Sequence, residues 1–232
     1  MALSGPKPGK GALFIVATPI GNLEDITLRS LRVLEEVDVI ACEDTRVTLK
    51  LLNRYGLKKR LISYFQPKEL ARLPQIIQLL RQGKSVALVS DSGTPGISDP
   101  GYRLIQAAIE ADIPVIPVPG PSALTASLCA AGLPLNRVLF LGFPPAKKGK
   151  LSRLLSALRE EAATLVFYLP SRNLRSFLEL VLSILGNRRI VIARELTKLH
   201  EEFKRGEIEE LLKELQGKQL RGEITLLIEG KR

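Results

Sequence analysis

A chain of 232 residues that is 45% hydrophobic is long enough to bury one large core or two smaller ones. Its 34 Lys and Arg against 24 Asp and Glu leave a net charge of +10 and a pI near 9.8, which favours a polyanionic partner, nucleic acid before an anionic membrane surface. Two cysteines and one histidine rule out a Cys/His zinc site and a Cys-x-x-Cys redox pair, and no apolar run approaches the roughly 20 residues of a bilayer span, so a cytoplasmic protein without a metal centre is expected.

In chain order, Met1 to Gly11 carries no hydrophobic signal region. Ala12 to Ala17 is a continuous apolar strand of the kind buried on both faces. Thr27 to Val37 follows as an amphipathic helix with Leu28, Leu31 and Leu34 on one face. Asp38 to Ala41 reads as a strand, Thr45 to Tyr55 as a helix stopped at Gly56, Leu61 to Tyr64 as a short strand, and Glu69 to Arg81 as a helix ending before Gly83. A strand at Ser85 to Val89 leads into a loop rich in Gly, Pro and hydroxyl residues, Ser90 to Gly101, in which Asp99 suits the cap of a helix from Tyr102 to Ala111. A strand at Val115 to Val118 completes an alternation that implies a mostly parallel sheet with helices on both faces.

Pro117, Pro119, Gly120 and Pro121 form a stiff joint, and a first domain over residues 1–117 with a second, mixed-sheet α/β domain over 118–232 is expected. The second half reads as a helix from Ser122 to Ala131, a strand at Val138 to Leu141, a basic turn, a helix from Leu151 to Glu160 and a strand at Leu165 to Tyr168. Asn173 to Leu185 is helical, Arg189 to Arg194 extended, Ile208 to Leu215 helical and Glu223 to Glu229 a final strand. A Ser-His-Asp triad would depend on His200, which sits in a charged stretch that reads as a solvated helix.

Four segments at strand ends could carry chemistry. Thr18 to Asn22 is a tight turn, but neither Gly-x-Gly-x-x-Gly nor a Gly-Lys-Ser/Thr phosphate loop is present, which removes the usual marks of nicotinamide and ATP chemistry. Cys42 to Arg46 sets two adjacent carboxylates and an arginine at a strand end, an arrangement that also suits an acidic helix start capped by Asp44. Ser90 to Gly101 exposes backbone where open α/β sheets hold ligands. Pro119 to Ala123 opens a helix at the joint, with Ser122 as cap.

Together Leu13 to Arg29, Cys42 to Arg46, Ser90 to Gly101, Pro119 to Ala123 and Arg194 to Glu202 resemble the ribosomal RNA small subunit methyltransferase I family of the tetrapyrrole methylase superfamily, over essentially the whole chain. The resemblance implies an α/β class III methyltransferase of two α/β domains, with S-adenosylmethionine in the cleft between them and usually a homodimer. It implies methylation of the ribose 2′-oxygen of a decoding-region cytidine in 16S rRNA, within the 30S subunit or its precursor. By position it places cofactor contacts on Pro19, on Gly93, Thr94, Pro95, Gly96 and Ile97, on Ser122 and Ala123, and on second-domain backbone at Tyr168-Leu169, Ala193 and Ile224. Asp44 and Glu195, with Asp25 behind them, are the candidate bases; Arg46 and Lys198 would hold RNA phosphate or orient the base.

Lys147, Lys148, Lys150, Arg153, Lys204 and Arg205 are the candidate RNA-binding cations. Two departures from the family pattern stand out. Tyr168-Leu169-Pro170-Ser171-Arg172-Asn173 replaces a usual Tyr-Glu-Ser-Pro-His-Arg, and many members continue into an extra basic segment where this sequence ends at Lys231-Arg232. The alternatives are a methyltransferase of a tetrapyrrole precursor and a non-catalytic RNA-binding assembly factor. An aromatic content of 5% with no Trp argues against a base-stacking platform.

Overall fold

Short runs of branched and aliphatic residues form the first sheet, and the helices between them bring each strand back in the same direction. In the computed structural model, which describes residues 11–218 and 220–231, these elements are β1 (Leu13–Val16), α1 (Leu28–Glu36), β2 (Val39–Cys42), α2 (Thr45–Arg54), β3 (Arg60–Ser63), α3 (Glu69–Arg81), β4 (Val86–Val89), α4 (Tyr102–Glu110) and β5 (Val115–Val118). The expectations placed on Met1 to Lys10 and on Arg232 lie outside the described residues. All strand pairs are parallel, in the order β3-β2-β4-β1-β5. The three inner strands are buried throughout, as unbroken apolar runs predict. Phe14, Val16, Leu34, Ile40 and Leu52 pack in one core cluster and Leu13, Ile15, Ile76, Leu80 and Leu88 in another, so odd and even positions of β1 serve opposite faces.

Because every strand runs the same way, the carboxyl ends of β1, β2 and β4 open on one edge, and there the chain turns at Thr18, Glu43 and Ser90. Thr27 caps α1 by accepting the Ser30 N–H at 3.0 Å, and Asp44 caps α2. The cap of α4 is Gly101 rather than Asp99. Its φ of +145° is one an L side chain rarely adopts, and a Cβ there would sit 3.0 Å from Leu88 Cδ2. The buried Glu69 carboxylate accepts the Gly101 N–H at 3.1 Å, which moors the end of the Gly/Pro loop to α3.

The first unit closes at Ser122, five residues beyond the expected boundary, because β5 sets Pro117 and Val118 beside Ile15 and Val16 of β1. The second opens at Ala123 and contains α5 (Ala123–Ala131), β6 (Val138–Gly142), α6 (Lys148–Ala157), β7 (Thr164–Pro170), α7 (Leu174–Leu185), β8 (Arg189–Arg194), β9 (Glu202–Glu207), α8 (Ile208–Glu214) and β10 (Glu223–Ile228). Its sheet has the order β6-β7-β10-β8-β9, parallel between β6 and β7 and antiparallel elsewhere. Leu165, Phe167, Leu169, Ile192, Ile224 and Leu226 face one core, shared with Leu155 of α6, Phe177, Leu178 and Val181 of α7 and Leu211 of α8.

Three details differ from the sequence reading. The helix after the basic turn starts at Lys148, three residues early, so it takes in Lys150. His200 lies exposed in a turn rather than a helix. β9 was not foreseen: Glu202 to Glu207 has Phe203 as its sole large apolar residue, and it is a strand because it completes the β8 ladder. Arg188, buried at 9% exposure, donates to the carbonyls of Leu185, Glu229 and Arg159, tying three segments at the opposite end of this sheet from the β7–α7 turn.

Replacing Gly101 by Ala forces a side chain into a positive-φ cap against Leu88. We expect a loss of about 1–3 kcal/mol, read by calorimetry as a fall of about 2–4 °C in Tm for each kcal/mol, with the first unit's transition moving and the second's unchanged.

Candidate active site

The turn after β1 and the loop after β4 are joined by a reciprocal pair of backbone hydrogen bonds. The Thr18 N–H donates to Gly93 O at 2.9 Å and the Gly93 N–H to Thr18 O at 3.0 Å. The buried Thr18 hydroxyl donates to Ser90 O at 3.0 Å, and the Thr94 hydroxyl to Pro121 O at 3.5 Å. Gly93 takes a φ of +84° that L side chains rarely adopt, and at Gly120 a Cβ would crowd that of Ala17 at 3.0 Å. Pro19, Gly93 to Ile97 and Ser122 thus converge on one edge of the first sheet. Pro19, Gly93 and Pro95 are buried, and Ile97 is 45% exposed.

Beside them Glu43, Asp44, Thr45, Arg46, Ser63, Phe65 and Asp91 line a cavity of about 400 Å³. The two adjacent carboxylates have opposite environments. Asp44 accepts the Arg46 N–H at 2.8 Å and both Arg46 guanidinium donors, at 2.6–3.1 Å, which holds its pKa at about 2. Its carboxylate is therefore a committed helix cap and a weak base. Glu43 is pushed up, first by burial and then by the carboxylates of Asp91 and Asp99, while an Asp91 N–H acts in the other direction. Asp91 in turn accepts the Asp44 N–H at 2.9 Å. The sequence reading named Glu43 within its motif but gave it no role; the signal was the pairing of one carboxylate with an arginine two residues on, which leaves the other unpaired. Asp25 lies in the 3-10 turn Leu23–Asp25, with one buried carboxylate oxygen that has no partner among the described residues.

In the second unit, strand register gathers Leu169, Ile224 and Ala193, because Ile224 pairs with Leu169 and Thr225 with Ala193, all at the end where β7 and β8 finish. Glu195 and Lys198 lie in the following loop. Glu195, at φ +51°, accepts the Glu223 N–H at 2.9 Å and Lys198 Nζ at 3.0 Å; Lys198 also reaches Glu223 at 2.8 Å. Burial alone would raise Glu195, but the Glu223 N–H and the Lys198 ammonium outweigh it and set its pKa low. These two side chains brace the β8–β9 loop.

The six candidate RNA-binding cations separate into two groups. Lys147, Lys148, Lys150 and Arg153 are exposed around the start of α6, and among the described residues none forms an ion pair with a carboxylate. Lys204 is paired with Glu202 and Glu214, and Arg205 donates to the carbonyls of Ala130 and Ala131. Their strand, β9, is the outer strand opposite β6, four strand spacings or about 19 Å away.

A family profile for tetrapyrrole (corrin/porphyrin) methylases matches residues 12–212. The ribosomal RNA small subunit methyltransferase I of Thermotoga maritima is 48% identical over 95% of this chain and 99% of its own length. The chain belongs to the tetrapyrrole methylase family, in its ribosomal RNA small subunit methyltransferase I branch. The branch member of Escherichia coli O157:H7 is 44% identical over 95% of this chain and 78% of its own. The family's fold is evident in solved structures: a cobalt-precorrin-4 methyltransferase of cobalamin biosynthesis superposes with a TM-score of 0.67 at 18% identity over 98% of both chains. The uroporphyrin-III C-methyltransferase of Thermus thermophilus gives 0.65 at 24% identity over 94% of both. No described helix is long and apolar enough to cross a membrane, and no described group of three or more His, Cys, Asp or Glu side chains could hold a metal ion.

Carboxyl-resolved NMR titration should place Asp44 at about 2 and Glu43 above 4.5, and Arg46→Ala should move Asp44 up toward 3.8. The signs differ: the stability that Asp44 contributes is present above its unfolded pKa and lost as pH falls toward its folded one, whereas ionising Glu43 costs stability as pH rises through its raised pKa. A shared midpoint for the two carboxyls would refute the assignment.

Proposed function

We propose that this protein transfers a methyl group from S-adenosylmethionine to the ribose 2′-oxygen of a cytidine in 16S rRNA, presented by the 30S subunit or its precursor. The observation that carries this reading is the 41–48% identity, across most of the chain, to relatives named for methylating small-subunit ribosomal RNA. The tetrapyrrole enzymes share the fold at 18% and 24% identity, too distant to carry their substrate over.

The first sheet's edge fits such a cofactor. Gly120 is exposed at a point where a Cβ would crowd that of Ala17, Gly96 is half-buried at a positive φ, and Ile97 offers apolar surface to a nucleoside. The carboxylates of Asp91 and Asp99, close enough to raise the pKa of Glu43, stand with it as a group that favours a cationic sulfonium. When bound, S-adenosylmethionine supplies an electrophilic methyl group.

Glu43 is our candidate to accept the proton of the ribose hydroxyl, since a carboxylate with a raised pKa is the better base and Asp44 is held by Arg46. The Arg46 side chain is 85% exposed beyond its bond to Asp44 and is placed to meet a phosphate. Holding the hydroxyl in line with the methyl group supplies the larger part of the acceleration, up to roughly 7–11 kcal/mol; proton removal adds a factor of about 10²–10⁴.

Labelled S-adenosylmethionine offered with 30S subunits, naked 16S rRNA or uroporphyrinogen should label the 30S sample. Label in the tetrapyrrole alone, or no label with RNA retained on a filter, would overturn the proposal. Glu43→Gln should lower kcat about 100-fold or more, a far larger loss than its effect on cofactor affinity, and the wild-type rate should fall as pH drops through the raised Glu43 pKa.

A further inference from the structure

Aromatic residues are scarce in this chain, seven Phe and four Tyr, yet three of them meet at the outer edge of the second sheet. The ring of Tyr168 on β7 stands edge-to-face with Phe140 at 5.0 Å and with Phe143 at 5.6 Å between centroids. In a regular strand, residues three apart point to opposite faces and could not both reach Tyr168. Here the register slips: Phe140 pairs with Val166 and Gly142 with Phe167, so two residues of β6 oppose one step of β7. Gly142, at φ +62°, takes the conformation this bulge needs. The bulge carries Phe143 to the side of the sheet that holds Phe140 and Tyr168, the face away from the cluster of Leu165, Phe167 and Leu169. Phe143 is left 59% exposed.

Five residues on, the chain enters α6 with Lys147, Lys148, Lys150 and Arg153 around its first turns, all exposed and none paired with a carboxylate among the described residues. The wider sequence keeps acid away from this turn, for Ile113 to Arg159 contains no Asp or Glu. An exposed aromatic face beside unneutralised cations is complementary to a strand that carries bases and phosphates together.

We infer that Phe143, held by Tyr168 and Phe140, stacks on an unpaired base of an RNA strand whose phosphates lie along Lys147, Lys148, Lys150 and Arg153. The inference rests on RNA being the substrate and adds that a flipped or single-stranded nucleotide is read at the β6 edge. A duplex keeps its base faces covered and could use only the cations.

The test uses the full chain and a fluorescein-labelled oligoribonucleotide of about ten nucleotides, within the span such sites cover, as a single strand and as a duplex, across a range of KCl. Phe143→Ala and Phe143→Leu should each weaken single-strand binding about tenfold without changing the salt slope, whereas Phe143→Tyr should restore it. Duplex binding should be unaffected by any of the three. The triple change Lys147→Ala, Lys148→Ala and Lys150→Ala should reduce the salt slope by about 2, from roughly 0.7 per lost phosphate contact. With 30S subunits, Phe143→Leu should raise KM and leave the affinity for S-adenosylmethionine unchanged. Wild-type binding by both Phe143→Ala and Phe143→Leu, or equal losses on single strand and duplex, would overturn the inference. Methyl transfer to 30S by the wild type is measured alongside: its absence refutes the proposed function, while its presence with no effect of Phe143 refutes the stacking role alone.

Discussion

The paired hydrogen bonds between Thr18 and Gly93 fix the geometry of the edge on which the strands of the first unit end. Loops leaving parallel strands have no ladder of their own, and without a tie they would sample many arrangements at an entropic cost of about 1–2 kcal/mol per residue ordered on binding. Here the ordering is done in advance. Thr18 uses its amide, carbonyl and hydroxyl to hold the loop after β4, and Glu69 holds the far end at Gly101. Between those moorings the loop from Thr94 to Pro100, with Ile97 as its one large aliphatic side chain, is held without a ladder of its own.

Charge is sorted within this basic chain rather than spread evenly. The carboxyl edge of the first sheet concentrates Glu43, Asp91 and Asp99, enough to raise a carboxyl pKa, whereas the start of α6 concentrates cations. The two surfaces suit opposite ends of one reaction: a cationic methyl donor and a polyanionic acceptor. Net charge alone predicts only the second. The acidic cluster is invisible in a count because Lys and Arg elsewhere outnumber it.

Much of the fold was legible because its strands are short apolar runs separated by helical periods and Gly or Pro stops. The elements from β1 to α5 fall within a residue or so of the ranges read from sequence. The exceptions are positions where tertiary context decides. Charged β9 exists by pairing with β8, and α6 begins early because Lys148 and Gly149 need no apolar face to start a helix. At the site, periodicity could bring the motifs to one edge but could not divide the work between Glu43 and Asp44, which turns on where the Arg46 side chain lies. Composition argued against a stacking platform because it averages over the chain, and a bulge gathers what the average dilutes.

The strand that sequence patterning missed also bears on how the molecule meets its neighbours. Among the described residues β9 has no partner strand on its outer side, which makes that rim the kind of open border onto which another polypeptide can add and seed a fibre. Along that rim, Glu202, Lys204, Arg205 and Glu207 present charges of both signs already engaged or hydrated, so an incoming strand would have to strip water from them to register. The irregular chemistry that hid this segment from a hydropathy reading is thus a safeguard of solubility in a crowded solution.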